Sequence, residues 1–454
     1  MENTDIDKIA GQNKCAKCGA TDISPNIENG LLRCNYCRHE FDGKVHLDED
    51  INQLDGIKIS SGASQIQSES HDELTLKCDS CAAEVVINTN EVKQARCHWC
   101  RNTLSIQHQI PNGAIPDVVL PFKLPKETAK DIIQKFVKER QFYAHPRFKK
   151  EFEIENIFGI YLPYVIIDVN AHSTFIGQGE VLIRKYTVGS GDDEETMYDA
   201  ELYDIEREAD IIIDDLIMES NTDKRQNKNS NKTNNIINSI LPFDTENCVK
   251  WDANYLQGFS SERRDAEVET LKSNFEAQVK DITRHKMNET LKKYNRGVRW
   301  KSENTTIKGE SWKTAYLPIW LYSYHEKSKN ELHYIAVNAR TKERMGSIPI
   351  NFSKLILISA IIEFFSFILW VVIQPFVDSK NDFSWLLMLA GFIHYFIVKN
   401  RYRNKNARHF HEKETSVEMN NLRVVDTYNK KETGLSNSRI SGENGNAVKG
   451  NLFK

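Results

Sequence analysis

The residues whose types and spacing best suit chemistry in this 454-residue chain are its cysteines. Eight of the nine fall in Cys-x-x-Cys pairs, which form two groups: Cys15, Cys18, Cys34 and Cys37, then Cys78, Cys81, Cys97 and Cys100. In each group fifteen residues separate the inner cysteines (19–33 and 82–96). A two-residue spacer lets both sulfurs of a pair face one metal ion, and four sulfur ligands suit Zn²⁺. Each group therefore predicts one structural zinc ion, because a complete sulfur shell leaves no position open for water.

The two cysteine groups also repeat their surroundings, which indicates an internal duplication. Tyr36 and Trp99 lie inside the second pair of each group, and arginines flank both second pairs: Arg33, Arg38, Arg96 and Arg101. We predict two small β zinc ribbons, at 1–46 and 73–110, joined by an acidic linker at 47–72. The two aromatic side chains are expected to shield the metal sites. Since the sulfurs complete each shell, no metal binding is expected of the nearby histidines: His39, His46, His98 and His108.

Charge and cysteine usage limit the function classes. The formal net charge of −4 and the near-neutral ribbons do not suit a surface that tracks nucleic-acid phosphates. The segment Met1–Lys8 has no apolar core, so no cleaved signal peptide is expected. Paired cysteines without a secretion signal indicate metal binding in a reducing compartment. The ninth cysteine, Cys248, is expected to be a lone buried thiol.

The middle of the chain predicts an α+β domain built from two related halves. The halves are 116–220 and 240–352, and an Asn/Lys-rich segment at 221–239, expected to be disordered, separates them. Two motifs occur once in each half: Leu120-Pro-Phe122 with Leu241-Pro-Phe243, and Tyr161-Leu-Pro163 with Tyr316-Leu-Pro318.

Apolar periodicity predicts the elements of these halves. We expect helices at Lys126–Tyr143, Ile205–Met218 and Ser261–Tyr294, strands at Phe158–Val169 and Ser173–Val188, and a hairpin formed by Tyr334–Asn338 and Arg344–Ile348. The region has no phosphate-binding loop, no dinucleotide-binding glycine pattern and no nucleophile elbow. An enzymatic function is therefore not expected.

Two apolar runs, Leu355–Val377 and Phe383–Val398, predict a C-terminal hairpin of two transmembrane helices at 353–399. Basic residues flank the outer ends of the runs: Lys354, Lys399, Arg401, Arg403, Lys405 and Arg408. By the positive-inside rule both ends lie in the cytoplasm, which predicts a multi-pass protein of the cell membrane. The tail at 400–454 is expected to be basic at first and then disordered.

Two ionisable residues interrupt the apolar runs. Counted from the short polar loop between the runs, Glu363 and His394 lie at similar depth. Unpaired ionisable groups are costly inside a bilayer, so the two side chains are expected to pair and to staple the hairpin.

These features together resemble one family. The paired ribbons occur with four further motifs: Leu120-Pro-Phe122, 255–263, Tyr316–Trp320 and 337–342. In this respect the chain resembles bacterial membrane proteins described as transcription factor IIB-type zinc-ribbon-containing, and loosely as primosomal helicase-like. The resemblance covers 14–354, and Ala339 and Lys342 depart from the glycine-rich form of the last motif. It implies a zinc-ribbon membrane protein with no established activity.

The sequence as a whole predicts a non-enzymatic, membrane-anchored cytoplasmic scaffold or adaptor. Its structural zinc ribbons are expected to dock a partner protein. The alternative is a membrane-tethered nucleic-acid-binding protein that uses the ribbon arginines and the basic tail. That alternative requires binding that weakens strongly as salt rises.

Overall fold

The structure, a computed structural model, describes residues 15, 17–20, 23–41, 50–64, 73–78, 83–88, 96–99, 109–110, 116–188, 195–220, 240–251, 253–256, 258–264, 266–326, 331–374, 384–402, 417–428 and 437–439. The strands are β1 (Ile23–Pro25), β2 (Leu32–Cys34), β3 (Glu40–Phe41), β4 (Gly56–Ile59), β5 (Glu73–Lys77), β6 (Glu84–Asn88), β7 (Gln109–Ile110), β8 (Val118–Val119), β9 (Ile157–Val188), β10 (Glu195–Glu219), β11 (Val249–Lys250), β12 (Ser260–Glu262), β13 (Gly297–Glu326), β14 (Glu331–Asn338), β15 (Arg344–Gly346), β16 (Val417–Tyr428) and β17 (Asn437–Arg439).

The α-helices are α1 (Ser61–Ser64), α2 (Lys126–Glu139), α3 (Pro146–Glu151), α4 (Val268–Met287), α5 (Phe352–Ile373) and α6 (Ala390–Tyr402). Short 3₁₀ helices occur at Ile51–Gln53, Thr245–Asn247, Ala253–Leu256, Asn288–Leu291 and Ser384–Leu389. The predicted helix at Lys126–Tyr143 is thus confirmed as α2, which ends four residues earlier, at Glu139. The predicted helix at Ser261–Tyr294 is confirmed only as the shorter α4.

Three long antiparallel strands form the centre of a 14-stranded mixed sheet. Strand β9 lies between β10 and β13 and pairs with both along most of its length. The two strands predicted at Phe158–Val169 and Ser173–Val188 are therefore one continuous strand. Strands β1, β2 and β3 form a separate three-stranded sheet. The chain is multidomain, as predicted.

Helix α4 covers one face of the central sheet. Its apolar residues recur every four positions, at Leu271, Phe275 and Val279, and all three are buried. The ring of Phe275 meets the ring of Trp312 on β13, with 5.0 Å between the centroids. This apolar layer holds the long strands together, because an amphipathic helix needs such a surface to bury its apolar face.

The prediction of a helix at Ile205–Met218 is wrong, because this segment belongs to strand β10. From Ile205 to Ile211, buried positions alternate with less buried acidic ones. Alternation with a period of two is the pattern of a half-buried strand, and a short run of isoleucines and acids also fits a helical period. The long partner strand β9 decides between the two.

The segments predicted as a linker and as a disordered tail both contribute strands to the sheet. In the tail, β16 pairs with β10 along its whole length. In the linker, β4 runs parallel to β13, and a Cβ at Gly309 would overlap the carbonyl of Leu54. Open edges of long strands supply the hydrogen-bonding partners that such polar segments lack alone. The predicted disorder at 221–239 concerns residues outside those that the structure describes.

The repeated Tyr-Leu-Pro motifs lie opposite each other in the sheet. Leu162 on β9 and Leu317 on β13 are register partners, and the flanking tyrosines and prolines pair crosswise. The two motifs are therefore related by a local two-fold axis. The descent of both halves from one duplication stays a prediction. The predicted hairpin is confirmed by the pairing of β14 with β15.

Helix α5 is the one helix, within the described part of the chain, that is long and apolar enough to cross a membrane. It has 22 residues, of which Leu355 and Ser359 are buried. The second predicted span begins as a 3₁₀ helix and continues as the 13-residue α6. The two helices meet where Gly391 faces the backbone of Ser359. One candidate span is therefore present, and the predicted hairpin of two spans is not shown.

Candidate metal centre

Four cysteine sulfurs converge at one end of the first ribbon. The sulfurs of Cys15, Cys18, Cys34 and Cys37 all lie within 4.8 Å of one another. The two contacts of 3.5 Å run between the pairs, from Cys15 to Cys37 and from Cys18 to Cys34. Sulfurs bound to one tetrahedral zinc ion are about 3.8 Å apart, since each Zn–S bond is about 2.3 Å long. The first predicted site is confirmed as a four-cysteine cluster that could hold a metal ion such as zinc.

Two equivalent turns place these sulfurs. The N–H of Cys15 donates to the carbonyl of Ala20, and the N–H of Cys34 donates to the carbonyl of His39, both at 2.9 Å. After each pair the chain enters the left-handed region, at Gly19 with φ +70° and at Arg38 with φ 61°. Glycine adopts this conformation without strain, whereas an arginine does so only where its surroundings hold it there.

The sulfurs influence one another strongly. Burial acts to raise the pKa of Cys15, but N–H groups of Cys18 and Lys17 lower it to about 7. The N–H of Ala20 acts to lower the pKa of Cys18, but desolvation and the other sulfurs raise it to about 12. Four thiolates this close repel one another, so a cation is needed before all four can lose their protons.

The first ribbon rests on the body but leaves its metal end exposed. Ile23 and Leu32 are buried in the main core cluster, and Gly30 lies against Pro121. At the metal end Tyr36 is 82% exposed. The prediction that Tyr36 shields the metal site is therefore wrong. Basic residues beside the cluster cysteines in the sequence are exposed as well: Lys17, Arg33 and Arg38.

The second ribbon is only partly described, since Cys81 and Cys100 lie outside the described residues. Cys78 and Cys97 are described, and both are buried. The N–H of Cys78 donates to the carbonyl of Ala83 at 2.8 Å, the same five-residue offset as between Cys15 and Ala20. The first turn of this ribbon thus repeats the geometry of the first turn at the described centre.

Trp99, the counterpart of Tyr36, is buried against the body. Its indole N–H donates to a carboxylate oxygen of Glu262, and its ring meets the ring of Tyr334 with 5.3 Å between centroids. The neighbouring His98 is fully buried, and its Nδ1 lies 3.2 Å from the hydroxyl of Ser260. This part of the second ribbon is therefore a contact with the sheet. The same sequence position faces solvent in one ribbon and the core in the other.

The other histidines, arginines and the ninth cysteine singled out in the sequence differ in their burial. His39 is partly buried and stacks with Phe41, while His46, His108 and Arg101 lie outside the described residues. Arg96 is exposed. Cys248 is buried as predicted, and this burial raises the pKa of its thiol well above the ordinary value.

An acidic cluster was not predicted from the sequence. Oxygens of Asp168, Asp214 and Asp215 lie within 4.8 Å of one another. The Asp168 carboxylate accepts from the N–H of Asp215 at 3.1 Å and lies 3.6 Å from the ammonium of Lys313. These contacts already compensate its charge. No sequence signal joins Asp168 to residues more than forty positions away, because only the pairing of β9 with β10 unites them.

The predicted pairing of Glu363 with His394 is wrong. Glu363 accepts a hydrogen bond from the N–H of Gly391 at 2.7 Å. His394 lies between the hydroxyl of Ser359, at 2.9 Å, and the hydroxyl of Tyr143, at 3.1 Å. The two side chains differ in depth by one helical turn, which counting residues from the outer loop could not reveal. His394 therefore links the helices to the body.

Comparisons of the chain with protein-family models, curated proteins and solved structures find no match. The resemblance to zinc-ribbon membrane proteins consequently stays a prediction.

Proposed function

We propose that the protein is a non-enzymatic, membrane-anchored scaffold whose first zinc ribbon docks a partner protein through its exposed metal end. The observation that carries this proposal is the 82% exposure of Tyr36. A large aromatic side chain held on a rigid turn is an efficient anchor in protein interfaces, because it loses little conformational entropy on binding. Trp99 is buried in the second ribbon, so the docking role falls to the first.

The charge around Tyr36 defines the partner's surface. Lys17, Arg33 and Arg38 each lie next to or between cysteines of the cluster in the sequence, and all three are exposed. A complementary surface is acidic around an apolar pocket that receives the tyrosine ring. A nucleic acid needs a longer basic path than three side chains, in a chain whose net charge is −4. This favours a protein partner.

Helix α5 supports a membrane anchor, since most of its large apolar side chains are exposed. The second run supports a hairpin although α6 is short. Six residues of 3₁₀ helix rise about 12 Å, because this helix advances about 2.0 Å per residue. The apolar part of α6, Ala390–Val398, adds about 14 Å at 1.5 Å per residue. The sum of about 26 Å approaches the apolar thickness of a bilayer.

The remaining parts of the proposal rest on three separate observations. The basic residues Lys354 and Lys399 at the ends of the two runs favour a cytoplasmic body and tail. The repeated turn at Cys78 supports a second zinc ion bound by Cys78, Cys81, Cys97 and Cys100. Family membership among the bacterial zinc-ribbon membrane proteins is proposed on the sequence motifs alone.

The test uses a photo-reactive amino acid in place of the exposed Lys17 in the full-length chain, activated in living cells. We expect a cross-link to one protein that is lost when Tyr36→Ser is added. The matched control is Glu28→Ser, an exposed position on the same ribbon, which should leave the cross-link unchanged. Zinc content should be the same in all three chains.

Two results would contradict this proposal. The first is a cross-link that survives Tyr36→Ser, because the exposed ring would then contribute no contact. The second is cross-linked nucleic acid whose yield falls steeply with salt after cell lysis, which would establish the nucleic-acid-binding alternative.

A further inference from the structure

The body contacts the two apolar helices through the segment that follows α2. The hydroxyl of Tyr402, at the end of α6, donates to the carbonyl of Arg140 and accepts from the N–H of Tyr143. The N–H of Asn351, just before α5, donates to the carbonyl of Tyr143 at 2.8 Å. This segment is therefore fixed beside the ends of both helices.

Three arginines belong to this corner: Arg140, Arg344 and Arg401. Arg401 precedes Tyr402, whose hydroxyl bonds to the carbonyl of Arg140, and the positive charges of Arg401 and Arg344 act to lower the pKa of Arg140. Glu139 lies 3.5 Å from Arg140 and 3.3 Å from Arg344, so one carboxylate is shared by two of them. Arg401 is exposed at the end of α6. The corner consequently keeps an excess of positive charge.

The hydrogen-bonding capacity of Arg140 is only partly used. Its Nη1 donates to the carbonyl of Phe136 at 3.3 Å, and its guanidinium stacks 3.5 Å from the centroid of that ring. Its Nε is buried and makes no hydrogen bond within the described part of the chain. Burial lowers the pKa of Arg140, while the carboxylate of Glu139 acts to raise it and the charges of Arg401 and Arg344 act to lower it. An anion at this corner would relieve that repulsion.

An aromatic side chain lies beside this charge. Phe142 is 58% exposed, and the ammonium of Lys354 lies 3.7 Å above its ring while donating to its carbonyl at 2.9 Å. Lys354 belongs to the first turn of α5. Aromatic rings and long basic side chains prefer the headgroup layer of a membrane, where the apolar and charged parts of each find matching surroundings.

We propose that Arg140 and Arg401 bind the phosphate of an anionic membrane lipid, with Phe142 inserted beside its headgroup. The proposal rests on the membrane anchor proposed above. Arginine suits this role because its planar group donates two parallel hydrogen bonds to phosphate oxygens.

A lipid fits the corner better than a free phosphate ion does. Ile356 and Leu357, one turn into α5, are 56% and 61% exposed, and Ile397, one turn before Arg401, is 59% exposed. Acyl chains attached to the phosphate would cover these side chains. A soluble anion would leave them uncovered.

The experiment titrates the full-length chain, purified in a neutral detergent, with phosphatidylglycerol or with phosphatidylcholine, while its melting temperature is followed. We expect phosphatidylglycerol to raise the melting temperature and phosphatidylcholine to leave it unchanged. Arg140→Gln and Arg401→Gln should each need about fivefold more phosphatidylglycerol for the same rise. Arg401 is exposed, so its variant should fold even if the half-buried Arg140 proves necessary for folding.

The matched control is Lys126→Gln, which removes one charge at the opposite end of α2, about 20 Å away along this 14-residue helix. It should titrate as the unaltered chain does. An equal response to both lipids, or unaltered titration of both arginine variants, would overturn the proposal. A rise produced by inorganic phosphate alone would assign the corner to a soluble anion.

Alkaline carbonate extraction of cell membranes tests the membrane anchor independently of the phosphate site. A chain that stays in the membrane but shows no lipid preference overturns the phosphate site alone. A chain that is released overturns the anchor and the phosphate site together.

Discussion

Asp215 has both an unfavourable backbone conformation and a half-buried carboxylate. It adopts a left-handed backbone with φ 53°, and its carboxylate is held in a half-buried position by the hydroxyl of Thr245 at 2.6 Å. Burial raises its pKa to about 6, and the nearby charges of Asp168 and Asp214 act in the same direction. The folded chain therefore holds this proton more tightly than the unfolded chain. Asp215 therefore leaves the free energy of unfolding unchanged below about pH 4 and lowers it as the pH rises from about 4 towards 6.

This reasoning predicts the effect of Asp215→Asn. Asparagine tolerates the left-handed region and can still accept from Thr245, but it carries no charge. We expect the free energy of unfolding to rise by about 1–2 kcal/mol at pH 7.5, since one pKa unit corresponds to about 1.4 kcal/mol. At pH 4 the gain should vanish.

The measurement is thermal unfolding of the detergent-purified chain at both pH values. Asp131→Asn, at an exposed position on α2, should change stability at neither. Loss of stability at pH 7.5 would contradict the prediction and would mean that the charge of Asp215 has a partner such as a bound cation.

At the scale of single residues, the sequence predicted contacts made by neighbouring residues and missed those made across the fold. Cysteine spacing was enough to predict the first four-cysteine cluster, because residues close together in the sequence form both of its turns. Tyr36 and Trp99 occupy the same motif position, yet Trp99 is buried by Glu262, 163 residues away. Likewise, His394 bonds to Tyr143, 251 residues away. No local pattern records such partners.

Among the elements, strand β16 shows how the chain beyond the apolar helices returns to the body. Asp426 on β16 lies 2.9 Å from Arg207 on β10, whose side chain is only 1% exposed. Arg207 also donates to the hydroxyl of Thr290 at 2.9 Å. A buried guanidinium that loses its carboxylate is destabilising, because the remaining charge stays out of water. Asp426 consequently fixes β16 in place.

We therefore predict that Asp426→Ala loosens β16. The expected cost is about 2 kcal/mol, less than for a fully buried pair because Asp426 is 24% exposed. Limited proteolysis should then cleave the chain within β16, which should resist cleavage in the unaltered protein.

The matched control on the same strand is Arg423→Ala. Arg423 is 71% exposed and lies 3.2 Å from Glu208. An exposed ion pair contributes little, so this change should cost under about 0.5 kcal/mol and leave the cleavage pattern unchanged. Equal protease sensitivity of the two variants would show that the buried pair does not hold the strand.

Helices and strands could be predicted where the apolar residues followed one clear periodicity. Helices α2 and α4 followed from their apolar spacing, and β14 and β15 from two apolar runs around a turn. Strand β10 was mistaken for a helix, and β16 was missed. Strand β16 is mostly polar, and β10 mixes isoleucines with acidic residues. Both pair along their length with a neighbouring strand, and a strand of such composition carries little signal of its own.

In the whole molecule, the two ribbons have different relations to the body. The first contacts it through the hairpin of β1 and β2, and its metal end faces solvent. The second contributes Cys78, Cys97 and Trp99 to the same buried cluster as Leu162 and Leu317. Loss of metal should therefore have local consequences in the first ribbon and wider ones in the second.

Two double variants test this difference. The first variant carries both Cys15→Ser and Cys34→Ser, and the second carries both Cys78→Ser and Cys97→Ser. The unaltered chain should contain about two zinc ions and each variant about one, measured by metal analysis. In the first variant the ribbon at 15–41 should become protease-sensitive while the melting temperature of the body stays within a few degrees of the unaltered value. The second variant should lower that melting temperature, because the sheet loses the cover that Trp99 provides.

Two outcomes would contradict this difference. Equal melting temperatures for the two variants would mean that the second ribbon is as independent of the body as the first. A zinc content of one in the unaltered chain, lost only in the first variant, would mean that the second group of cysteines contributes packing without metal. Buried thiols can fill that role, since a protonated cysteine behaves as a small apolar side chain. The zinc content of the second variant therefore separates a metal-held contact from an ordinary part of the core.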